Sequence, residues 1–446
     1  MNSNIKFSIL YLFIGMLAWP IAGQAQDDAA IRKLERAIEK SPVFSKGFTG
    51  FLLSDPLEQR DLYAYRADNY FTPASNTKVF SFYAASVLLG DELPALFYQK
   101  RNDSLFIWGT GNPLLLHPDF SQGDTIFNWL KEQEAHLVFS DANYLDERYG
   151  EGWSWDDYPY GYQMEKSSLP LYGNAVEIAW DGLGEFTTYP EQFEGRFVFD
   201  ESPNALTVGR YEYANIYTFS AKALRRRPFK RRLSFLTNGP LVTKMLSDTL
   251  GKTISYQAID LPANGQYQTF SIPAPDSMYQ ALLQDSDNFI AEQILLMASA
   301  KRYGTMESQR VIKFLTDTLM SALPEDLSWV DGSGLSRYNQ ITPRGMTNVL
   351  SRLYSRYPRE RLFSLFPAGG ESGTIKKWYG GKKTAYVFAK TGTLRHVHCL
   401  SGYLLTKSGR VLVFSFMHNN FPGKTSELKK EMEKILLFIR EHVDSV

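Results

Sequence analysis

Three short motifs carry residues able to do acyl-transfer chemistry: Ser75-Asn76-Thr77-Lys78, Ser286-Asp287-Asn288 and Lys390-Thr391-Gly392. A serine hydroxyl is a poor nucleophile until a base takes its proton. Residues i and i+3 at the start of a helix share a face, so Ser75 and Lys78 project together. Lysine is ordinarily charged, with a reference pKa of about 10.4. Burial or a neighbouring cation would make it a base, and Lys390 is a candidate for that cation. The amides at the helix start suit an oxyanion hole beside the nucleophile. Lys390 ends an apolar strand-like run, Tyr386 to Ala389, and is followed by Thr391, Gly392 and Thr393. A strand lysine beside a hydroxyl, with a glycine clearing space, makes a clamp for a carboxylate.

No single motif is decisive. Ser-x-x-Lys is expected by chance about twice in a chain of this length. It recurs at Ser3…Lys6 and Ser426…Lys429, but only Ser75 stands just after a proline, Pro73, two residues before it, and opens an apolar helix. Ser-x-Asn recurs at Ser202-Pro203-Asn204. Lys-Thr-Gly is expected about 0.1 times per chain and is the rarest of the three. The argument rests on the ordered set.

The elements that must position these residues can be read from periodicity. Residues 28–40 place Ile31, Leu34 and Ile38 at helical spacing. Residues 47–53 and 61–65 read as strands around an Asp55-Pro56 turn. The helix of about 75–89 is apolar over most of its circumference, so it should be buried, and Gly90 should end it. A helical stretch is expected at 276–303 and another near 307–321. Strands at 384–390, 397–406 and 411–418 precede an amphipathic helix at 425–443, with Lys407-Ser408-Gly409-Arg410 as a hairpin turn. Residues 91–265 show short strand-like runs, many aromatics and no long amphipathic helix. The expected architecture is α+β. One antiparallel sheet would be built from both chain ends, with the terminal helices on one face and the Ser75 helix on the other. The expected organisation is a leader at 1–25, a sheet domain of 26–90 plus 266–446, and an inserted, mainly β region at 91–265.

The 446 residues leave ample length for a large core. With 48 basic and 48 acidic side chains, nothing points to nucleic acid or a strongly charged partner. Lys6, an apolar stretch from Phe7 to Ala18, Pro20 and small residues to Ala25 read as a cleaved export signal. That run is shorter than the roughly 20 residues a spanning helix needs. Cys399 is the only cysteine, so an exported chain must rely on its core rather than on an internal disulfide. It reads as a packed strand residue.

The motif set resembles the penicillin-recognising serine enzymes, which include class A β-lactamases and penicillin-binding proteins. From Ser75 to Ser286 is 286 − 75 = 211 residues. This interval, longer than in class A β-lactamases, is similar to that of the peptidase S13 family. Those are class C low-molecular-mass penicillin-binding proteins of the D-alanyl-D-alanine carboxypeptidase/endopeptidase type. Further family-like segments are Gly111-Asn112-Pro113, Trp153-Ser154-Trp155-Asp156-Asp157, Asp331 to Ser336, Ala368-Gly369-Gly370, Ala389 to Leu394 and Ser401-Gly402-Tyr403. The resemblance implies a penicillin-binding-protein/β-lactamase-like transpeptidase fold, an antiparallel sheet flanked by helices with a large insertion. It also implies an exported, periplasmic enzyme acting on peptidoglycan stem peptides ending in D-Ala-D-Ala. β-Lactams would be covalent inhibitors, and no cofactor or metal would be needed. Ser75 would be acylated with Lys78 as its base, and Ser286 would relay a proton to the leaving amine. Asn288 would orient the substrate amide, while Lys390 and Thr391 hold the terminal carboxylate beside Gly392. The backbone N–H groups of Ser75 and Thr393 would form the oxyanion hole. The division of labour between Lys78 and Ser286 stays open. A β-lactamase or esterase, or a non-catalytic envelope-binding protein, remain the alternatives. Oligomeric state is not legible.

Two departures stand out. Asn112 occupies a position where relatives often have aspartate, and Arg395-His396-Val397-His398-Cys399 is unusual after the clamp. His396 and His398 alternate and would share a strand face, but two ligands fall short of a zinc set. Arg225 to Arg232 is a basic cluster that reads as a solvated loop or as a contact for anionic polymer or membrane. Asp331-Gly332-Ser333-Gly334 reads as a turn near the cleft, and the tryptophans of 153–155 as residues buried in the insert.

Overall fold

The computed structural model describes residues 29–202, 204–319, 327–381 and 384–443; the expected leader lies outside them. Residues 29–76, 327 and 340–443 belong to one compact unit, and residues 77–319 and 328–339 to another.

The first unit is built on a five-stranded antiparallel sheet. Its strands are β1 (Phe48–Asp55), β2 (Arg60–Tyr65), β3 (Val387–Leu394), β4 (Val397–Leu405) and β5 (Val411–Asn419), in spatial order β3-β4-β5-β1-β2. All pairings are antiparallel, so the two ends of the chain interleave as the periodicity predicts. β4 and β5 are buried along nearly their whole length, because both faces of the sheet are covered. The register fixes which residues share a face. Thr391, Leu400, Phe416 and Phe51 stand in one row, with Ala389, Gly402, Phe414 and Leu53 in the next. This face packs on helices α1 (29–39) and α3 (Thr425–His442) through Leu34, Ile38, Leu428, Met432, Leu436 and Ile439. The opposite face carries Lys390, Ser401 and Ser415 in one row. It also carries Tyr403, whose hydroxyl donates to Leu350 O of helix α2 (Pro343–Arg356) at 2.9 Å.

The second unit is organised around the Asn288–Tyr303 helix, which is buried from Phe289 to Ala300 and packs on the Lys78–Ala84 helix. A five-stranded mixed sheet runs in the order Ile254–Tyr256, His136–Ser140, Ser104–Gly109, Glu92–Arg101 and Gln268–Pro273. Two three-stranded sheets lie between residues 175 and 234. Two helices, Gly123–Glu132 and Gly239–Leu250, also occur where the sequence suggested none of length. The second has strong local signals: Asn238 Oδ1 accepts from Leu241 N at 2.9 Å, Pro240 stands in the first turn, and Gly251 closes it at φ 64.

The stretch expected as one helix at 276–303 is broken. Helical turns over Asp276–Gln280 and Ala281–Asp285 end at Ser286, whose φ is 65. Asp287 then caps a new helix, its Oδ1 accepting from Ile290 N at 2.9 Å. Apolar periodicity runs through the break; the cap geometry interrupts it.

Phe416 is fully buried against Phe51, with ring centroids 4.2 Å apart. Phe416→Ala should lower unfolding free energy by about 3–5 kcal/mol, read as a reduced denaturant midpoint at unchanged slope.

Candidate active site

In the first unit, Ser75 stands in a 3₁₀ turn, Ala74–Thr77, entered through Ala74 at φ 49. Strand β3 runs directly past this turn. A Cβ on Gly392 would lie 2.2 Å from Pro73 O and 3.0 Å from Ser75 N, so only glycine permits the approach. Asn76 Nδ2 donates to Ser401 Oγ at 2.7 Å, and Ser401 Oγ lies 2.9 Å from Ser415 Oγ. The fully buried Lys390 shares that polar row, with its Nζ donating to Thr391 O at 2.9 Å. Thr391 Oγ1 donates to Thr374 Oγ1 at 2.8 Å.

Thr393 continues the strand on the other face. Its Oγ1 lies 2.8 Å from Nδ1 of His398, directly opposite on β4. The next residue in the row, His418, places Nδ1 2.8 Å from Thr49 Oγ1. Because the Thr49 hydroxyl donates to Phe44 O at 3.1 Å, His418 is the donor to Thr49. Burial pushes both imidazoles down to about 3, so both are neutral. Neither Nε2 has a hydrogen-bond partner among the described residues. His396 is not on the strand with His398: it occupies the turn at φ 65, exposed, with Nδ1 3.0 Å from Phe421 O. The left-handed turn breaks the alternation on which a shared face depended.

In the second unit, Lys78 opens its helix fully buried. Its Nζ donates to Asn288 Oδ1 at 2.5 Å and to Ser333 O at 2.6 Å. Burial pulls its pKa from 10.5 down to about 8, against the opposing charges of Asp331, Glu292 and Asp287. Asn288 is fixed at both ends, since its Nδ2 donates to Tyr162 O at 2.8 Å. Ser286 sits two residues earlier at the left-handed break. Burial raises the Asp287 carboxyl, opposed by its cap bonds and by the Lys78 and Arg232 charges.

The acceptor at Ser333 is itself held. Glu292 accepts from Gly332 N at 3.1 Å and from Ser333 N at 2.7 Å. Asp331 accepts from Gly334 N at 2.8 Å, Ser336 N at 2.7 Å, Asn339 Nδ2 at 2.8 Å and Trp153 Nε1 at 2.9 Å. The loop that reads as a turn in sequence is thus the mount for a carbonyl that accepts from the lysine. Glu292 was missed: its only signal is an acid inside an apolar helical run. Trp153 is half-buried through its bond to Asp331, whereas Trp155 is 76% exposed, contrary to the expectation of burial. The basic cluster is not simply a loop. Phe229–Ser234 is a strand paired with Ala175–Trp180; Lys230 bonds Glu177 at 2.7 Å and Arg232 bonds Asp119 at 2.7 Å. Cys399 is buried and its thiol is pushed up to about 12, which suits packing rather than nucleophilic work. Among the described residues, no group of three or more His, Cys, Asp or Glu is placed to hold a metal.

The structure therefore brings the predicted residues together as two sets, Ser75 beside Gly392 and Lys78 bonded to Asn288. The chain joins them, because only Asn76 and Thr77 separate Ser75 from Lys78.

Comparison with known proteins gives a consistent picture. The chain is 22% identical over 441 residues to D-alanyl-D-alanine carboxypeptidase DacB of Haemophilus influenzae, covering 88% of this chain and 89% of the relative. It is 24% identical to a D-alanyl-D-alanine carboxypeptidase of Actinomadura sp. strain R39, covering 87% and 80%. A shorter match, 27% identical over 213 residues, is to penicillin-sensitive carboxypeptidase A of Dictyostelium discoideum; it spans 44% of this chain and 39% of that protein. The crystal structure of penicillin binding protein 4 (dacB) from Haemophilus influenzae superposes with a TM-score of 0.70 at 22% identity, over 91% of this chain and 97% of that one. The fold is thus that of penicillin-binding proteins, as the motif set implied. The family profile of the D-Ala-D-Ala carboxypeptidase 3 (S13) family matches residues 30–208 and 267–441, which include all three motifs, and the chain belongs to that family.

Proposed function

We propose that this protein is an exported serine D-Ala-D-Ala carboxypeptidase, acting on peptidoglycan stem peptides through an acyl-enzyme on Ser75. The observation that carries the reading is the state of Lys78: buried, shifted down to about 8, and three residues after the serine. A neutral amine has two N–H bonds and one lone pair. Asn288 Oδ1 and Ser333 O take the two N–H bonds, and the lone pair accepts the Ser75 proton as Oγ attacks the carbonyl carbon between the two D-alanines. The carbonyl electron pair moves to oxygen, where the backbone N–H groups of Ser75 and Thr393 receive it. The C–N bond then breaks, and Ser286 passes its hydroxyl proton to the departing amine while taking the proton held on Lys78, which leaves Lys78 neutral again. Water then adds to the ester carbonyl as Lys78 takes its proton, and that proton goes to Ser75 Oγ as the ester C–O bond breaks. Asn288 orients the substrate amide, and Lys390 with Thr391 binds the terminal carboxylate. Gly392 allows the close passage of β3 that this arrangement needs.

Fluorescent penicillin should label the protein on the peptide containing Ser75, found by mass spectrometry. Ser75→Ala should abolish both the label and D-alanine release from a stem pentapeptide. Label retained by Ser75→Ala would sink the reading, and release of the adduct within seconds would identify a β-lactamase.

Acylation should depend on pH with a definite sign. Below about 8 the Lys78 amine is protonated and cannot accept, so the acylation rate should rise with pH through that value. Lys78→Arg, which stays charged, should be slower by roughly 10²–10⁴-fold and lose this limb. A flat profile from pH 6 to about 9 in the wild type would contradict the base assignment.

His398 anchors the Thr393 side chain from behind the strand. His398→Leu should reduce kcat for the pentapeptide by about 10- to 100-fold with little change in KM, and His398→Asn, which can still bond the hydroxyl, should recover most of it. Equal activity of the leucine and wild-type proteins would show that Thr393 needs no such anchor.

A further inference from the structure

In the first unit the proposed carboxylate clamp has a second hydroxyl beside it. Thr391 Oγ1 donates to Thr374 Oγ1 at 2.8 Å, and this is the only hydrogen bond of either hydroxyl among the described residues. Thr391 is buried, whereas Thr374 is exposed. Thr374 belongs to none of the three motifs and stands in a 3₁₀ turn, Gly373–Ile375.

The loop that carries Thr374 is tied to the strand that carries Thr391. Gly369 N donates to Val387 O at 2.8 Å, and Ala389 N donates to Pro367 O at 3.0 Å. Within the loop, Gly370 N donates to Ile375 O at 3.2 Å and Ala368 N donates to Ser372 Oγ at 3.2 Å. Ile375 is fully buried in the same apolar cluster as Val387 and Ala389. The residue next to Thr374 is thus anchored in the core, which fixes where the Thr374 hydroxyl stands against β3.

Counting protons gives that hydroxyl a task. A threonine hydroxyl has one proton to donate and two lone pairs, while an ionised carboxylate only accepts. Without a ligand, the Thr391 proton points at Thr374. With a carboxylate in the clamp, that proton turns to the ligand. The bond between the two threonines then survives only if Thr374 donates in its place. Thr374 is able to do so, because it gives its own proton to no other group among the described residues. The result is a chain from Thr374 through Thr391 to the carboxylate, in which each bond polarises the next. We propose that Thr374 is a positioning residue of the clamp, its hydroxyl changing from acceptor to donor when Thr391 engages the terminal carboxylate. This rests on the proposed assignment of that carboxylate to Lys390 and Thr391. The carboxylate is held before and during acylation alike, so loss of the chain should appear in KM rather than in kcat.

The test uses the full-length mature chain and two variants. Thr374→Val keeps the shape and removes the hydroxyl, while Thr374→Ser keeps the hydroxyl. Thr374→Val should raise KM for the stem pentapeptide about 3- to 10-fold, the worth of one neutral hydrogen bond, with kcat nearly unchanged. Thr374→Ser should return KM to the wild-type value. An analogue whose last residue is replaced by ethylamine lacks only the carboxylate, and its kcat/KM should be the same for wild type and Thr374→Val. An unchanged KM in Thr374→Val overturns the proposal. So does a loss that Thr374→Ser fails to recover, or an equal loss on the ethylamine analogue, either of which would make Thr374 a packing residue of its loop. Wild type that is acylated by benzylpenicillin but leaves the pentapeptide intact would overturn the proposed function. The same comparison of variants on the rate of penicillin acylation, whose reagent also carries a carboxylate, would then decide the role of Thr374.

Discussion

The structure of the second unit turns on one buried amine. A lysine withdrawn from water is costly unless its N–H groups find fixed acceptors. Among the acceptors of Lys78 are Asn288 Oδ1 and the Ser333 carbonyl, and each of these is held by further bonds. Asn288 is pinned through its other amide atom to Tyr162 O, on a helix that begins only because Ser286 breaks the preceding turns and Asp287 caps the new start. Ser333 is pinned by Glu292, which grips two consecutive backbone amides, and by the donors gathered on Asp331. Burying those carboxylates would be expensive without such partners. The polar core of this unit is a chain of such mutual requirements.

The first unit meets a different constraint, the passage of a strand against a backbone turn. Gly392 has no side chain because Pro73 O and Ser75 N occupy the space a Cβ would need. Register then sorts the neighbours of this contact. One parity of β3 sends Lys390 to the face it shares with Ser401 and Ser415; the other sends Thr393 to His398. A one-residue slip would exchange the two faces. The sheet is held against that slip by the Phe51–Phe416–Leu400 row, which is buried on α1 and α3. Core packing far from Ser75 thus decides which polar groups β3 presents to it.

Much of this was legible in sequence. The terminal strands and helices follow a clean alternation or a 3.6-residue period, and Ser75, Lys78, Asn288, Lys390 and Gly392 stand in motifs whose chemistry can be argued from residue type. What escaped was set by local backbone geometry or by distant contacts. The break at Ser286 leaves no trace in apolar spacing. The left-handed turn at His396 undid a strand pairing of two histidines and gave His398 a different neighbour, His418, twenty residues away. Glu292 could be noticed as an acid among apolar residues, but its partners at 332 and 333 lie forty residues on. Trp155 shows the limit of composition, because aromatic content does not say which ring is buried.

The Lys78 environment also bears on which residue serves as base. Its two bonds described above go to carbonyl oxygens, which are neutral acceptors and can hold a neutral or a charged amine alike. Asp331, Glu292 and Asp287 act on it as charges and favour the protonated form, yet burial outweighs all three. The balance is informative. Stronger carboxylate fields would fix the ammonium and leave it unable to accept a proton; without them, desolvation would drive the pKa so low that the amine would accept weakly and return protons poorly. A value of about 8 lies between these limits, where an amine can both take a proton from a serine and give one back. Burial raises the Glu292 carboxyl, as does its neighbour Asp331, so a partly neutral Glu292 weakens the field on Lys78. The acid inside the helix is therefore part of the setting that the role proposed for Lys78 requires.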